Sequence, residues 1–185
     1  MPPGPDDRDL AHDVARGDQG ALAQLVARHA AGVKAVALRF TGSAADADDI
    51  VQEVFLKVWT HAGRYDPEKA SFATWLFRIA TNRCFDLLRG RRRWSWLGLD
   101  AADAQISTEP AADATLDGRQ SLEAVRRDIL ALPERQRMAL LLVVTTERTA
   151  QDVADVLGIG RGAAEQLIVR ARQTLRQRQR ERAGT

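Results

Sequence analysis

Apolar positions recur at steps of three and four through most of the chain. In Asp46–Trp59 they are Ile50, Val51, Val54, Phe55, Val58 and Trp59, a single stripe with a period near 3.6 that predicts an amphipathic helix. The opposite side carries Asp46, Asp48, Asp49, Gln52, Glu53 and Lys57. Acids gathered in a first turn favour the positive end of the helix dipole and mark the helix start. Upstream, a short helix is predicted near Asp7–Arg16, Gly17 breaks it, and Asp18 caps a helix Gln19–Phe40. The buried stripe of that second helix is Leu22, Leu25, Val26, His29, Val33, Val36 and Phe40. His29 has no companion at ligand spacing and reads as a packed histidine. Thr41–Ala45 and His61–Ala70 are connecting loops. Ser71 then caps a helix to about Arg91, with Phe72, Trp75, Leu76, Ile79, Ala80, Phe85 and Leu88 as its apolar positions. No stretch sustains the alternation of a strand, so the chain reads as all-α.

The period lapses over 94–118. Beyond a short WSWLGL patch this stretch is rich in Ala and Asp and contains Pro110, a composition that buries too little surface to offset chain entropy. It predicts a flexible acidic linker between two small helical domains, residues 1–93 and 119–185. In the second, a helix Arg119–Ala131 stops before Pro133, which suits the first position of the next helix, Glu134–Val144. Thr149 caps a short helix Ala150–Leu157, Gly158 closes a tight turn, and an arginine-rich helix follows from about Arg161 to Arg180. Val153, Ala154, Leu157, Gly158, Ile159, Ala164 and Ile168 have the spacing of a helix-turn-helix, whose second helix enters the major groove.

The net charge of +2 hides a strong pattern. Residues 1–63 carry −3, residues 64–93 carry +5, residues 94–118 carry −5 and residues 119–185 carry +5. Two basic blocks around an acidic one attract polyanions, nucleic acid first among them. The single cysteine, Cys84, leaves no internal disulfide and no cysteine-built zinc site. His12, His29 and His61 lie too far apart for ligand spacing. The first ten residues lack the basic and apolar regions of a signal peptide, and no apolar run is long enough for a bilayer. A cytoplasmic protein without metal or cofactor is the expectation. Recognisable carboxylate pairs, phosphate-binding glycine loops and nucleophile elbows are missing too, so the reading is not an enzyme.

In order, DADDIVQEVFLKVW, SFATWLFRIATNRCFDLLR, LPERQR, DVADVLGIGRG and RARQTLR resemble the motifs of extracytoplasmic-function (ECF) sigma factors, the two-domain class of the sigma-70 family. The resemblance covers Gly17 to Leu175. It implies a transcription initiation factor with core RNA polymerase and promoter DNA as partners, and an anti-sigma factor as antagonist. It implies that Asp49, Gln52, Glu53 and Phe55 dock on the clamp coiled coil of the largest polymerase subunit. It places Tyr65, Lys69, Trp75, Arg78, Asn82 and Arg83 on the −10 element, where aromatic faces and arginine planes suit unpaired bases. The Arg89–Arg93 run would then lie over duplex phosphates.

The second domain, by the same resemblance, reads the −35 element, and there the sequence departs from the family. A Thr-Val-Lys-Ser-Arg succession usually opens the recognition helix; here Ala163, Ala164, Glu165, Gln166 and Leu167 stand instead. Glu accepts from cytosine N4 and Gln pairs with adenine, so Glu165 and Gln166 retain base reading. Phosphate anchoring rests on Arg161, Arg170 and Arg172. The altered helix also admits an alternative, a sigma-like decoy that sequesters an anti-sigma factor.

Overall fold

The computed structural model describes residues 5–96 and 116–183, and every regular element among them is helical. The first half comprises α1 (Asp7–Ala15), α2 (Gln19–Thr41), α3 (Ala44–His61), a 3-10 turn (Ala62–Arg64) and α4 (Phe72–Trp96). The second comprises α5 (Leu116–Leu130), α6 (Glu134–Thr146), α7 (Ala150–Leu157) and α8 (Arg161–Ala183).

Local chemistry fixes the starts of these helices. Asp6 caps α1 by accepting from the Asp9 amide, and Asp18 caps α2 by accepting from the amides of Gly20 and Ala21. Ser43 caps α3 through the Asp46 amide, so the expected loop Thr41–Ala45 contracts to Gly42 and Ser43. Gly42 takes a left-handed φ of 78° there, a conformation that suits a residue without Cβ. Ser71 accepts from the Thr74 amide at the start of α4. Pro133 stands at the N-cap of α6 with extended ψ, one position earlier than expected.

The bounds of the expected linker shift: α4 continues through Trp96 and α5 begins at Leu116, and residues 97–115 of the expected linker lie outside the described residues. The Trp-rich patch is therefore partly helical, and Trp96 is 85% exposed. The two halves also pack against each other. One cluster of buried apolar residues runs from Leu10, Leu25, Phe40, Ile50, Val54 and Leu76 into Met138, Leu141, Leu142, Val153 and Ile168. α2 packs on α5 and α6, and α4 packs on α7. The physical reason is size: a helical unit as small as α5–α8 buries too little of its own surface to be well stabilised alone.

Arginines line the seam between the halves. Arg137, buried on α6, lies with its guanidinium carbon 4.5 Å from the centre of the Phe40 ring and donates to the Leu130 carbonyl at 3.1 Å. Arg148 covers Phe77 at the same distance. Arg126 donates to the Gly42 carbonyl, and Arg92 of α4 pairs with Glu134 at the start of α6. Burial holds both Arg137 and Arg148 below the usual arginine range.

Candidate nucleic-acid interface

Three surfaces carry the residues singled out in the sequence. On α3 the core side is taken by Ala47, Ile50, Val54 and Val58. Steps of three and four then place Asp49, Gln52, Glu53 and Leu56 on the opposite side. Asp49 and Gln52 are exposed, and Leu56 stands between them at 62% exposure. The remaining acids of this helix are committed inside the chain. Asp46 accepts twice from Arg91, at 2.8 and 2.6 Å; Asp48 pairs with Lys34 at 2.8 Å; Glu53 pairs with Arg83. Phe55 is only 7% exposed, so it is chiefly a core residue. Its edge lines a shallow groove with Leu22, Gln52, Leu56 and Trp59. Leu56 was missed in the sequence, although a leucine off the apolar stripe and on the polar face was a usable signal.

The second surface is the loop after α3 together with α4. Tyr65, Phe72 and Trp75 form an aromatic cluster, with ring centres 5.6–5.8 Å apart in edge-on and tilted geometries. Phe72 is fully buried within it, whereas Tyr65 and Trp75 are half-buried. Desolvation pushes the Tyr65 hydroxyl above its usual range. Lys69 is exposed and pairs with Asp66 at 2.8 Å, which raises the lysine and lowers the carboxyl from their ordinary values. Asn82 is exposed on α4. Arg78 is not free: its Nη2 donates to the Asp155 carbonyl of α7 at 2.6 Å. Arg83 is turned back onto Glu53. In the arginine run, Arg89 pairs with Asp86, Arg91 with Asp46 and Arg92 with Glu134. Their charges are thus partly spent within the chain.

The third surface is the helix pair α7–α8. Thr149 and Asp152 form a reciprocal capping box at the start of α7, which satisfies two amides left open by the helix end. Gly158 adopts a left-handed φ of 63°, as the turn requires, and Ala154 is buried at the crossing. Ala164, Ile168 and Ala171 anchor α8 to the core. Arg161, Glu165, Gln166, Arg170 and Arg172 are all exposed. Steps of four and seven put Arg161, Glu165 and Arg172 along one flank, with Gln166 and Arg170 along the other. Arg161 Nε donates to Glu165 Oε1 at 2.9 Å, so the unusual acid is neutralised by its neighbour one turn earlier.

Sequence reasoning also missed Arg137 and Arg148, the two cations over aromatic rings. Neither falls on a periodic stripe that would announce a contact with a distant ring. Among the described residues no cluster of His, Cys, Asp or Glu could hold a metal, and no helix is long and apolar enough to cross a membrane. Cys84 is buried, and desolvation pushes its thiol up to about 12, far from the range of a nucleophile at neutral pH.

Comparison with known proteins matches both halves of the chain. Residues 25–94 match the family model of sigma-70 region 2, and residues 122–175 that of sigma-70 region 4. The RNA polymerase sigma factor CnrH of Cupriavidus metallidurans is 34% identical over 182 residues, 95% of each chain. The ECF RNA polymerase sigma factor SigW of Bacillus subtilis is 30% identical, over 91% of this chain and 94% of its own. Among solved structures, CnrH in complex with the cytosolic domain of CnrY superposes with a TM-score of 0.68 at 32% identity, covering 91% of this chain and 94% of that one. The sigma factor RpoE in complex with the anti-sigma factor NepR, from Bartonella quintana, has a TM-score of 0.73 at 22% identity, covering 85% and 96%, and shares the fold. With both regions matched in order and relatives alike almost from end to end, the chain belongs to the ECF sigma factors of the sigma-70 family and is a transcription initiation factor.

Proposed function

We propose that this factor docks on the clamp coiled coil of core RNA polymerase through the outward face of α3, reads the −10 element with the Tyr65–Arg83 surface and reads the −35 element with α8. One observation carries the polymerase assignment. Asp49, Gln52 and Leu56 form a face with a large apolar side chain at its centre and polar groups around it, the anatomy of an interface core and rim. Phe55 contributes only its edge, across the adjoining groove.

At the −10 surface, Tyr65 and Trp75 offer partly open aromatic faces for unpaired bases. Lys69, Arg78, Asn82 and Arg83 supply phosphate and base-edge contacts. Because Arg78 is bound to α7, this surface works fully only after the two halves separate, so the described arrangement is a held-off state. Separation by polymerase follows if α3 and α8 engage different parts of the enzyme. An anti-sigma factor is the expected antagonist, by likeness to the solved relatives. The decoy alternative is disfavoured by the completeness of the first half. The work is done by binding energy rather than by catalytic groups.

The test is reconstitution with core RNA polymerase and run-off transcription from a genomic fragment library. The reading requires co-elution with core enzyme and defined transcripts that vanish without the factor. Co-elution without transcripts would favour a decoy, and the absence of both co-elution and transcripts would overturn the reading.

A further inference from the structure

The two surfaces assigned above meet inside the free protein. Glu53 belongs to the α3 surface and Arg83 to the α4 surface, yet Arg83 Nη2 donates to Glu53 Oε1 at 2.5 Å, and Arg83 Nε stands against Oε2. The Nε contact is one of charge only, since its N–H is not aligned for a hydrogen bond. The pair is neither solvated nor sealed: the side chains are 29% and 42% exposed. Asp49 and Gln52, on the same helix face, have no such internal partner. Asn82, beside Arg83, is exposed and unoccupied. Glu53 and Arg83 are therefore each withdrawn from their own surface by the other.

We propose that the Arg83–Glu53 pair is a latch that couples polymerase binding to DNA binding, an inference that rests on the residue roles proposed above. Polymerase engaging Glu53 takes the acceptor from Arg83 and turns its guanidinium towards DNA. DNA phosphate engaging Arg83 turns Glu53 outward in the same way. Whichever ligand arrives first breaks the pair, and the second then binds without opposing it. Linkage makes the effect reciprocal, with the same factor on both affinities. The net worth of a half-exposed ion pair limits that factor to roughly two- to fivefold. The latch thus lowers unproductive binding of the free factor to single strands without weakening the assembled complex.

The experiment uses the full chain and a fluorescein-labelled single-stranded DNA of random sequence, titrated with and without core RNA polymerase. Glu53→Gln keeps the shape of the side chain and removes its charge. Its expected effect is a gain of roughly two- to fivefold in DNA affinity of the free chain, beyond what Asp49→Asn produces as a control for net charge. Adding polymerase should shrink that gain towards none. Arg83→Gln should raise affinity for core polymerase by a similar factor in the absence of DNA. A Glu53→Gln chain that matches the Asp49→Asn control overturns the latch. The residue roles are tested separately by Glu53→Ala in polymerase binding and Arg83→Ala in run-off transcription. Full activity in both would sink those roles, whatever the latch does.

Discussion

Arg148 lies over Phe77, its guanidinium carbon 4.5 Å from the ring centre, and reaches Thr74 Oγ1 at 3.5 Å. This one side chain ties the entrance of the helix-turn-helix to α4. Arg148→Ala should destabilise the free protein by about 1–2 kcal/mol, the range of a partly desolvated cation–π contact. It should also raise the radius of gyration in small-angle scattering, because the halves part more readily. Arg148→Lys should not restore the compact form, since an ammonium lacks the planar stacking face. Unchanged scattering from a folded Arg148→Ala chain would show that the seam does not depend on this contact.

The polymerase face is best tested away from Glu53. Replacing Glu53 by arginine would set two guanidiniums against each other and disturb α3 against α4. Asp49→Arg together with Gln52→Arg avoids that, since both side chains are exposed without an internal partner. The double variant should lose about tenfold or more in affinity for core polymerase, roughly 1.4 kcal/mol, with helicity by circular dichroism unchanged. Leu56→Ala should weaken the same binding. Retained affinity in both variants would move the docking surface elsewhere.

Glu165 can act on DNA only by exchanging Arg161 for a base. If it accepts from a cytosine N4, Glu165→Ala relaxes preference at one −35 position by about 1–3 kcal/mol. That is the expected result in titrations against a randomised −35 element at two salt concentrations. A gain of equal size on all sequences, with a steeper salt dependence, would instead mark Glu165 as a repulsive charge.

The capping box of α7 gives a pH signature. The Thr149 hydroxyl, and then its amide, hold the Asp152 carboxyl below the usual aspartate range. A depressed folded pKa adds stability above the unfolded value, near 3.9, and that stability is lost as pH falls through the folded value. Thr149→Val should therefore cost about 1 kcal/mol at neutral pH, and the deficit should shrink below about pH 4. Urea titrations at pH 7 and in that acid range measure it. A deficit independent of pH would assign the whole effect to packing.

Much of this arrangement was legible in the sequence because local rules decide it. Asp18, Ser71, Thr149 and Gly158 each mark a helix end by their own chemistry, and the stripe from Ile50 to Trp59 buries as its period requires. Asp49 and Gln52 emerge on the open face for the same reason. The long-range polar contacts were not legible. Asp46 with Arg91, Glu53 with Arg83 and Arg78 with the Asp155 carbonyl join residues 30 to 77 positions apart, and no periodicity links such partners. The acidic face of α3 looked continuous in the sequence, yet only part of it is available. The packing of the two halves on each other was not legible either, because a shared apolar cluster depends on which surfaces meet and not on what each helix prefers.

That shared core bears on how freely promoter preference can be transplanted. Grafting the helix-turn-helix half of another family member onto this first half looks like a simple exchange of modules. Here Phe40 and Phe77 would lose Arg137 and Arg148 unless the incoming half carried cations at the same places, and the first half would lose the side chains of Met138, Leu141 and Leu142 from the shared apolar cluster. A chimera made without those residues inherits a new DNA reader but an unmatched joint, and it would stay open when it should be shut.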